Sequence, residues 1–319
     1  MAIEHAGMRV VPKPWGSTDL RPWSEIHNDG VAIGELWFQR ADIDAPAPAL
    51  LLKLLFTKET LSIQVHPDDA FAHSIGLAHG KTEAWYILSA TRGAQIAVGL
   101  KRPIAAMQLR AAIEDGSISS LVQWRRVLKD DVIFVPAGMI HAIGAGLVVA
   151  EIQQRSDATF RLFDHGRRRE IHIDNAVASA TAGPAPSQAA PRRLTEARTL
   201  LVASPHFVLE RIDLPPKSDW TLDAEHETWL LVLEGHARVG LMNAFVGEAI
   251  FLEAERTGIK VGSGGMKGLF AYLGPEPSRN LLRNLGWKKP GSPIRDFPRP
   301  PLHHRTTTGS PVRSAQARA

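Results

Sequence analysis

Cysteine is absent from this chain of 319 residues. Its absence excludes a disulfide framework, thiolate metal ligands and cysteine nucleophiles, and it fits a reducing compartment. Long apolar runs are lacking as well, because the run over residues 49–55 is short and is interrupted by Lys53. The first residues show no charged stretch followed by an apolar one, the pattern of a signal peptide. We therefore expect a cytoplasmic protein that has no membrane partner.

An excess of positive charge is lacking outside the C-terminal tail. The net charge is +4 and the pI is about 9.5, but residues 283–319 hold eight Lys and Arg and a single acid, Asp296. This tail carries a net charge of +7, so the rest of the chain carries −3. A mildly acidic body gives poor support for a nucleic-acid-binding fold, and we expect no nucleic-acid partner.

Four side chains able to bind one metal ion occur in three short motifs. They are Gln64, His66, Glu83 and His141, in Leu61-Ser-Ile-Gln-Val-His-Pro-Asp-Asp69, Gly80-Lys-Thr-Glu83 and Pro136-Ala-Gly-Met-Ile-His141. Gln64 and His66 are two residues apart, so on a β-strand they face the same side. Two imidazoles, a carboxylate and an amide oxygen suit Zn²⁺ or another first-row divalent ion. Taken singly, the histidines are ordinary loop residues; together the motifs predict one metal site inside a small barrel, as in a cupin.

The spacing of apolar residues predicts a mainly β fold with two cupin-type (jelly-roll) β-barrels. Apolar residues make up 44% of the chain and charged residues 22%, which is typical of a globular protein with a sizeable core. The first, catalytic barrel is expected over residues 1–180, with strands at 61–65, 83–88, 95–98, 131–135, 146–153 and 159–163. Residues 103–128 show helical spacing and predict a small helical insertion, with Pro103 in its first turn and Gly116 between two short helices.

The second half of the chain repeats the strand pattern without the metal motifs. A stretch rich in Ala and Pro predicts a linker over residues 181–194. A degenerate barrel is expected over 195–285, with strands at 207–214, 228–234, 237–241, 248–252 and 268–273. His226 and Glu227 resemble the start of a metal motif, but no Pro-x-Gly-x-x-His follows, so we expect a scaffold. The basic, Pro-rich tail over 286–319 is predicted to be poorly ordered.

Further motifs accompany the metal motifs in order along the chain. They are Pro14-Trp15-Gly16, Gly34-Glu-Leu-Trp37, Gly80-Lys-Thr-Glu-Ala-Trp-Tyr-Ile-Leu88 and Glu151-Ile-Gln-Gln-Arg-Ser-Asp-Ala-Thr-Phe-Arg-Leu-Phe-Asp164. The set resembles the class I, cupin-type mannose-6-phosphate isomerases (phosphomannose isomerases) in their short bacterial form. The resemblance is good over residues 10–175, loose over 195–285 and absent in the tail. It implies an isomerase that interconverts mannose 6-phosphate and fructose 6-phosphate through a cis-enediol, with one Zn²⁺ per chain held by Gln64, His66, Glu83 and His141.

Three more side chains are candidates for catalysis. Arg161 matches a position that is catalytic in the family, and its alternative role is a structural ion pair with Asp157 or Asp164. Lys81 and Glu151 are both candidates for the proton shuttle, and the sequence does not decide between them. A metal beside Lys81 is expected to lower the pKa of its ammonium group.

Substrate binding follows from the same resemblance, which implies Ser62, Lys81 and Arg161 as contacts of the sugar phosphate. A hydroxyl at Ser62 beside the cation of Arg161 suits a phosphate group, although a serine in a strand is often incidental. Trp15 and Trp37 either line the pocket or belong to the core.

Two other functions stay open at this stage. A metal cupin isomerase acting on free mannose would keep the four ligands while its phosphate contacts lapsed. A non-catalytic sugar-binding cupin has no need of a proton shuttle, so Lys81, Glu151 and Arg161 argue against it. The sequence leaves open the physiological metal, the oligomeric state and the direction of the pathway, which is GDP-mannose biosynthesis or entry of mannose into glycolysis.

Overall fold

A computed structural model describes residues 2–42 and 44–285 of the chain. Within these residues the chain forms twenty-one strands and four short helices, and the strands pair antiparallel. The predicted mainly β fold is confirmed. Among the described residues, no helix combines the length and the apolar character needed to cross a membrane.

The first half of the chain builds two sheets from strands that are short and separated by turns. The first strand of the chain, β1 (Ala2–His5), belongs to a third sheet that is described below. The strands of the two sheets are β2 (Gly7–Ser17), β3 (Ile33–Gln39), β4 (Leu50–Thr57), β5 (Ile63–Val65), β6 (Glu83–Ala90), β7 (Gln95–Leu100), β8 (Val122–Arg126), β9 (Val132–Val135), β10 (His141–Ile143), β11 (Leu147–Gln154) and β12 (Phe160–Phe163). Six strands form a sheet in the order β2-β3-β4-β11-β6-β9, and five form another in the order β12-β5-β10-β7-β8.

Four helices connect these strands: α1 (Asp69–Ser74), α2 (Ala106–Glu114), α3 (Ile118–Leu121) and α4 (Ile173–Ser179). Asp68 caps α1 by accepting a hydrogen bond from the backbone N–H of Phe71 at 2.8 Å. The helical spacing over residues 103–128 is realised in α2 and α3. It does not extend to residue 128, because Val122–Arg126 is the edge strand β8, which pairs with β7 and leaves most of its side chains in water.

The second half forms one ten-stranded sheet. Its strands are β13 (Arg192–Arg193), β14 (Arg198–Ala203), β15 (Phe207–Leu214), β16 (Asp219–Ala224), β17 (Thr228–Val239), β18 (Met242–Ala244), β19 (Ala249–Glu253), β20 (Glu255–Leu273) and β21 (Leu282–Asn284). The tenth strand is β1, which pairs with β19. The division into two barrels at residues 1–180 and 195–285 stays a prediction, and β1 crosses it by joining the sheet of the second half.

Two of the four buried apolar clusters enclose the functional region. One lies between the six- and five-stranded sheets and contains Trp85, Ile96 and Val149. Another joins the six-stranded sheet to the ten-stranded sheet, with Leu52 on one side and Trp229 on the other. The six-stranded sheet is therefore buried on both faces, which explains why β4 is apolar at six of its eight positions.

The predicted linker over residues 181–194 packs against the first half. Thr181 and Pro184 form isolated bridges to Met139 and Gly99, and the Gln188 side-chain oxygen accepts a hydrogen bond from the N–H of Phe134 in β9 at 2.9 Å. The last residues of this segment include the short strand β13. The predicted tail over 286–319 lies outside the described residues.

Candidate metal centre

Strand register brings the predicted metal ligands together. Gln64, at the centre of β5, is paired with His141 of β10 on one side and with Arg161 of β12 on the other. His66 follows β5 on the same face as Gln64. Glu83 begins β6 in the facing six-stranded sheet, where its pairing partner is Gln153 of β11. The site therefore lies between the two sheets of the first half.

Both imidazoles present the same ring nitrogen to the interior. The Nδ1–H group of His66 donates to the carbonyl of Ala158 at 2.7 Å, and that of His141 donates to the carbonyl of Met139 at 2.8 Å. These bonds place the ring proton on Nδ1, which leaves the lone pair of Nε2 free. The ring centroids are 4.7 Å apart. Two fixed lone pairs at this separation are suited to one metal ion.

Glu83 completes the group with a carboxylate. Its Oε1 lies 3.3 Å from Nε2 of His141 and its Oε2 lies 3.5 Å from Nε2 of His66. Potential ligand atoms of the three residues lie within 4.8 Å of one another, and all three are buried. Among the described residues, neither carboxylate oxygen has a hydrogen-bond partner of normal geometry. The ammonium group of Lys81, 3.2 Å from Oε2, compensates part of the charge of this carboxylate. Both oxygens still face the two imidazole nitrogens, so the donor set fits a divalent metal.

The charge state of the two histidines suits metal binding. Burial and the nearby ammonium group of Lys81 lower the pKa of His66 well below its usual value. Burial lowers the pKa of His141 to about 4. Both rings are therefore neutral at physiological pH, and a neutral imidazole is the form that binds a metal.

Gln64 adjoins this group through its amide. The Nε2 atom of Gln64 lies 3.3 Å from Nε2 of His141 and 3.5 Å from Nε2 of His66. Its Oε1 accepts a hydrogen bond from the hydroxyl of buried Ser62 at 3.0 Å. A half-turn of the amide would direct Oε1 at the two imidazoles, which is the orientation that a metal ligand requires.

Lys81 lies beside the metal group because the chain passes close to α1 at Gly80. The N–H of Lys81 donates to the carbonyl of Pro67 at 2.9 Å, and a Cβ at Gly80 would lie 2.5 Å from the backbone carbon of Asp68. The Lys81 Nζ atom is buried, 3.2 Å from Oε2 of Glu83.

The charge of Lys81 is set by opposing effects. Burial lowers the pKa of this lysine, but the carboxylates of Glu83 and Glu151 together outweigh burial, and the net shift is upward. The expected lowering assumed the positive charge of a metal, whereas the residues alone favour the ammonium form.

Glu151 lies in the middle of β11, between Lys53 of β4 and Trp85 of β6. The indole N–H of Trp85 donates to its Oε2 at 3.1 Å, and Lys53 Nζ lies 3.5 Å from its Oε1. Burial, followed by the like charge of Glu83, raises the pKa of Glu151 above its usual value.

Sequence reasoning missed three charged residues that extend this array. Lys53 Nζ lies 3.8 Å from Oε2 of Glu35, and Lys13 Nζ lies 3.2 Å from Oε1 of the same carboxylate. The signal for Lys53 was present, because it interrupts an otherwise apolar run and is 2% exposed. A buried lysine needs anionic partners, and here they are Glu35 and Glu151.

Among the residues that the structure describes, the guanidinium of Arg161 forms no ion pair with a carboxylate. Its Nη1 donates to the carbonyl of Glu170 at 2.7 Å, and its Nε is buried without a hydrogen-bond partner among the described residues. The alternative ion pair with Asp164 is not formed, because the carboxylate of Asp164 accepts from Arg167 and Arg169 instead. The guanidinium therefore suits an anionic ligand.

The two tryptophans that were candidates for the pocket lining, Trp15 and Trp37, differ in burial and in their contacts. Trp15 is 3% exposed and belongs to the core between the sheets while also lining the cavity. Trp37 is half-buried and donates its indole N–H to Glu35, with Lys53 Nζ 4.4 Å from its ring centroid.

A single cavity of about 340 Å³ connects these groups. The predicted site residues that line it are Ser62, Gln64, Lys81, Glu83, Glu151 and Arg161. Lys13, Glu35, Lys53 and His172 line it as well. The volume is in the range of small-ligand sites, and the lining is strongly polar.

His226 and Glu227 of the second half do not form a metal site in the described residues. The Glu227 carboxylate accepts hydrogen bonds from the backbone N–H groups of Ala49 and Leu50 and from the indole of Trp229. Its oxygens are therefore already occupied.

The antiparallel sheets of the first half enclose the buried His66–Glu83–His141 group, which is a candidate metal centre. No protein-family model matches the chain. A mannose-6-phosphate isomerase of Streptococcus mutans is 36% identical over 193 residues, which are 56% of this chain and 60% of that protein. One of Bacillus subtilis is 35% identical over 160 residues, which are 46% of this chain and 50% of the relative. The chain thus spans half to three-fifths of the curated relatives that it matches.

Solved structures agree with this likeness. The mannose 6-phosphate isomerase of Bacillus subtilis aligns with a TM-score of 0.75 at 24% identity, over 86% of this chain and all of that one. A variant of the phosphomannose isomerase of Salmonella typhimurium aligns with a TM-score of 0.67 at 16% identity, over 86% of this chain and all of that one. The predicted resemblance to the mannose-6-phosphate isomerases is confirmed by the curated relatives, and the fold by the solved structures.

Proposed function

We propose that this protein is a zinc-dependent isomerase that interconverts mannose 6-phosphate and fructose 6-phosphate. The observation that carries the proposal is one polar cavity lined by Lys81, Glu151 and Arg161, which Glu83 of the buried His66–Glu83–His141 group also lines. The names of the curated relatives support the same reaction. The absence of cysteine supports a cytoplasmic location, where the product would serve GDP-mannose biosynthesis or glycolysis.

His66, Glu83 and His141 would hold the metal, with Gln64 as a fourth ligand once its amide is turned. Neutral nitrogen and carboxylate ligands, with no thiolate, are typical of catalytic zinc sites. A bound divalent cation polarises the sugar carbonyl and stabilises the negative charge that develops on the oxygens at C1 and C2. The ammonium group of Lys81 lies beside Glu83 and can donate a hydrogen bond to one of those oxygens.

We assign the proton transfer between C1 and C2 to Glu151. Its Oε2 is oriented by the indole of Trp85, while its Oε1 has only the 3.5 Å contact with Lys53 and keeps a lone pair for the substrate. Lys81 is already bound to Glu83 and is less suited to accept a proton. Arg161 and the hydroxyl of Ser62 would bind the phosphate group from the five-stranded sheet.

The test is fructose 6-phosphate formation from mannose 6-phosphate by the purified full chain, before and after chelation and after zinc is returned. We expect activity to disappear on chelation and to return with zinc. Zinc at a hundred times its dissociation constant should also stabilise the fold by about 2.7 kcal/mol. Turnover of free mannose at an equal rate would favour the isomerase of the unphosphorylated sugar. No turnover by the zinc-loaded chain would contradict the proposal.

A further inference from the structure

A segment that follows β12 turns back along it and contacts Arg161. This return segment, residues 164–172, begins at the buried Asp164 and turns through His165 and Gly166, which have φ angles of 52° and 83°. The Asp164 carboxylate anchors the turn by accepting hydrogen bonds from Arg167 at 3.1 Å and from Arg169 at 2.8 Å. The segment ends at His172, immediately before α4.

His172 bonds to the backbone of Arg161 in two places. The backbone N–H of His172 donates to the carbonyl of Arg161 at 2.9 Å. The backbone N–H of Arg161 donates to Nδ1 of the His172 ring at 3.1 Å. Because Nδ1 accepts, the proton of the neutral ring is on Nε2. The imidazole thereby replaces a strand partner at this position.

The position of β12 explains why such a partner is needed. It is the terminal strand of the five-stranded sheet, with β5 on its inner side. Since the N–H and C=O groups of Arg161 both bond to His172, they point away from β5, and the Arg161–Gln64 pair is a non-hydrogen-bonded one. Without the imidazole of His172, the N–H of Arg161, on the side of β12 opposite Gln64, would lose its acceptor.

The same segment also holds the side chain of Arg161. The carbonyl of Glu170 accepts a hydrogen bond from Nη1 of Arg161 at 2.7 Å. Glu170, Arg169 and His172 all line the cavity. Burial lowers the pKa of His172 below its usual value; the carboxylate of Glu170 opposes this shift and the positive charge of Arg161 adds to it, so the ring is neutral at physiological pH.

We propose that His172 is a positioning residue for Arg161, acting through the hydrogen bond that its Nδ1 accepts from the Arg161 N–H. The effect on turnover rests on the proposed function of Arg161 as the phosphate-binding cation. A displacement of about 1 Å at such a group can cost roughly a hundredfold in rate. His172 itself need not touch the substrate.

Two substitutions of His172 separate this role from a direct contact with the ligand. In His172→Asn, the amide oxygen occupies the place of Nδ1 and can accept from Arg161. In His172→Gln, the amide nitrogen reaches the place of Nε2, but the Nδ1 acceptor is lost. We expect Asn to keep kcat/KM for mannose 6-phosphate within about threefold of the wild type, and Gln to lower it at least about tenfold, mainly through a higher KM.

Three controls accompany these variants. His165→Gln makes the same change in the same segment, on a ring that packs edge-to-face against Phe163, and should leave activity unchanged. Thermal unfolding and zinc content should match the wild type in every variant used. In an Arg161→Ala background, His172→Gln should cause no further loss, because coupled residues are not additive. Rescue by Gln and not by Asn, or an additive loss in the double variant, would overturn the proposal.

A nitrogen-15 NMR measurement of the His172 ring keeps the test independent of turnover. The proposal requires the tautomer with the proton on Nε2 in the wild type, and a ring protonated on Nδ1 would overturn it. The ring could have the expected tautomer while the zinc-loaded wild type fails to turn over mannose 6-phosphate. That result would contradict the proposed function but support the hydrogen bond by which His172 positions Arg161.

Discussion

At the scale of single residues, the metal group is incompletely stabilised by the protein itself. His66 and His141 each use Nδ1 on a backbone carbonyl, which fixes the direction of Nε2. The carboxylate that these nitrogens face is buried without a normal hydrogen bond among the described residues. Each group satisfies only the atoms that point away from the centre. A divalent metal ion between them would bind all three groups together, whereas Lys81 compensates only the charge of Glu83.

Replacement of His141 by alanine should remove zinc binding before it affects folding. A site with one ligand fewer should lose at least about a hundredfold in zinc affinity, since loss of a supporting hydrogen bond alone costs 10- to 100-fold. Competition with a coloured chelator measures the affinity, and isomerase activity should fall in parallel. His73→Ala is the control, because His73 is exposed and its ring bonds to the nearby carbonyl of Ala78, away from the metal group. Unchanged zinc affinity in His141→Ala would contradict the assignment.

Replacement of Glu151 by glutamine should lower kcat with little change in KM. Glutamine keeps the shape and an acceptor for Trp85, but it cannot take up a proton, and loss of a general base costs roughly 10²- to 10⁴-fold in rate. Exchange of the sugar hydrogen with deuterated solvent should fall by the same factor. Lys81→Met is the comparison, because it should slow turnover while leaving residual exchange. Normal exchange in Glu151→Gln would move the proton transfer to Lys81.

At the scale of secondary structure, alternation along a strand predicted which side chains share a face but not which strands are neighbours. Gln64 and His66 share a face because they are two residues apart, and this followed from the sequence. The flanking of Gln64 by His141 and Arg161 depends on pairings between residues 77 and 97 positions apart, which local patterns do not encode.

The same limit explains the features that the sequence did not predict. In the sequence, Lys53 only interrupts an apolar run. Its position beside Glu151 depends on the pairing of β4 with β11. His172 belongs to none of the sequence motifs. It reaches Arg161 only because residues 164–172 turn back along β12. The short strand β8 was assigned to a helix, since Leu121 and Val122 continue the helical spacing of apolar residues.

The connection from α1 to β6 should not tolerate a side chain at residue 80. A Cβ there would lie 2.5–2.7 Å from backbone atoms of Pro67, Asp68 and Asp69, so Gly80→Ala must displace the backbone that carries Lys81. We expect a loss of about 1–3 kcal/mol in the free energy of unfolding and lower activity. Gly264→Ala is the matched control, because its added Cβ meets no atom of the described residues within 4 Å apart from its chain neighbours. Equal stability of the two variants in urea would contradict the close approach.

At the scale of the whole molecule, the second half supports the site from behind. The core cluster shared by the six- and ten-stranded sheets includes Leu52 and Leu54 of β4, which flank Lys53, together with Phe207 and Trp229. Glu227, just before β17, accepts hydrogen bonds from the N–H groups of Ala49 and Leu50 at the start of β4. The ten-stranded sheet therefore helps to fix the strand that presents Lys53 to Glu151.

Loss of the Glu227 carboxylate should destabilise the chain without touching the catalytic groups. Glu227→Ala removes the acceptor of the N–H groups of Ala49 and Leu50 and of the indole of Trp229, and the bonds of Leu50 and Trp229 are buried. We expect the free energy of unfolding to fall by about 2–4 kcal/mol, as measured in urea with zinc present. Glu225→Ala, an exposed carboxylate two residues away, is the control and should change it by less than about 0.5 kcal/mol. Below its unfolding transition, Glu227→Ala should keep its zinc and its pattern of kcat and KM. A stable variant that loses zinc would instead place Glu227 in the function of the site.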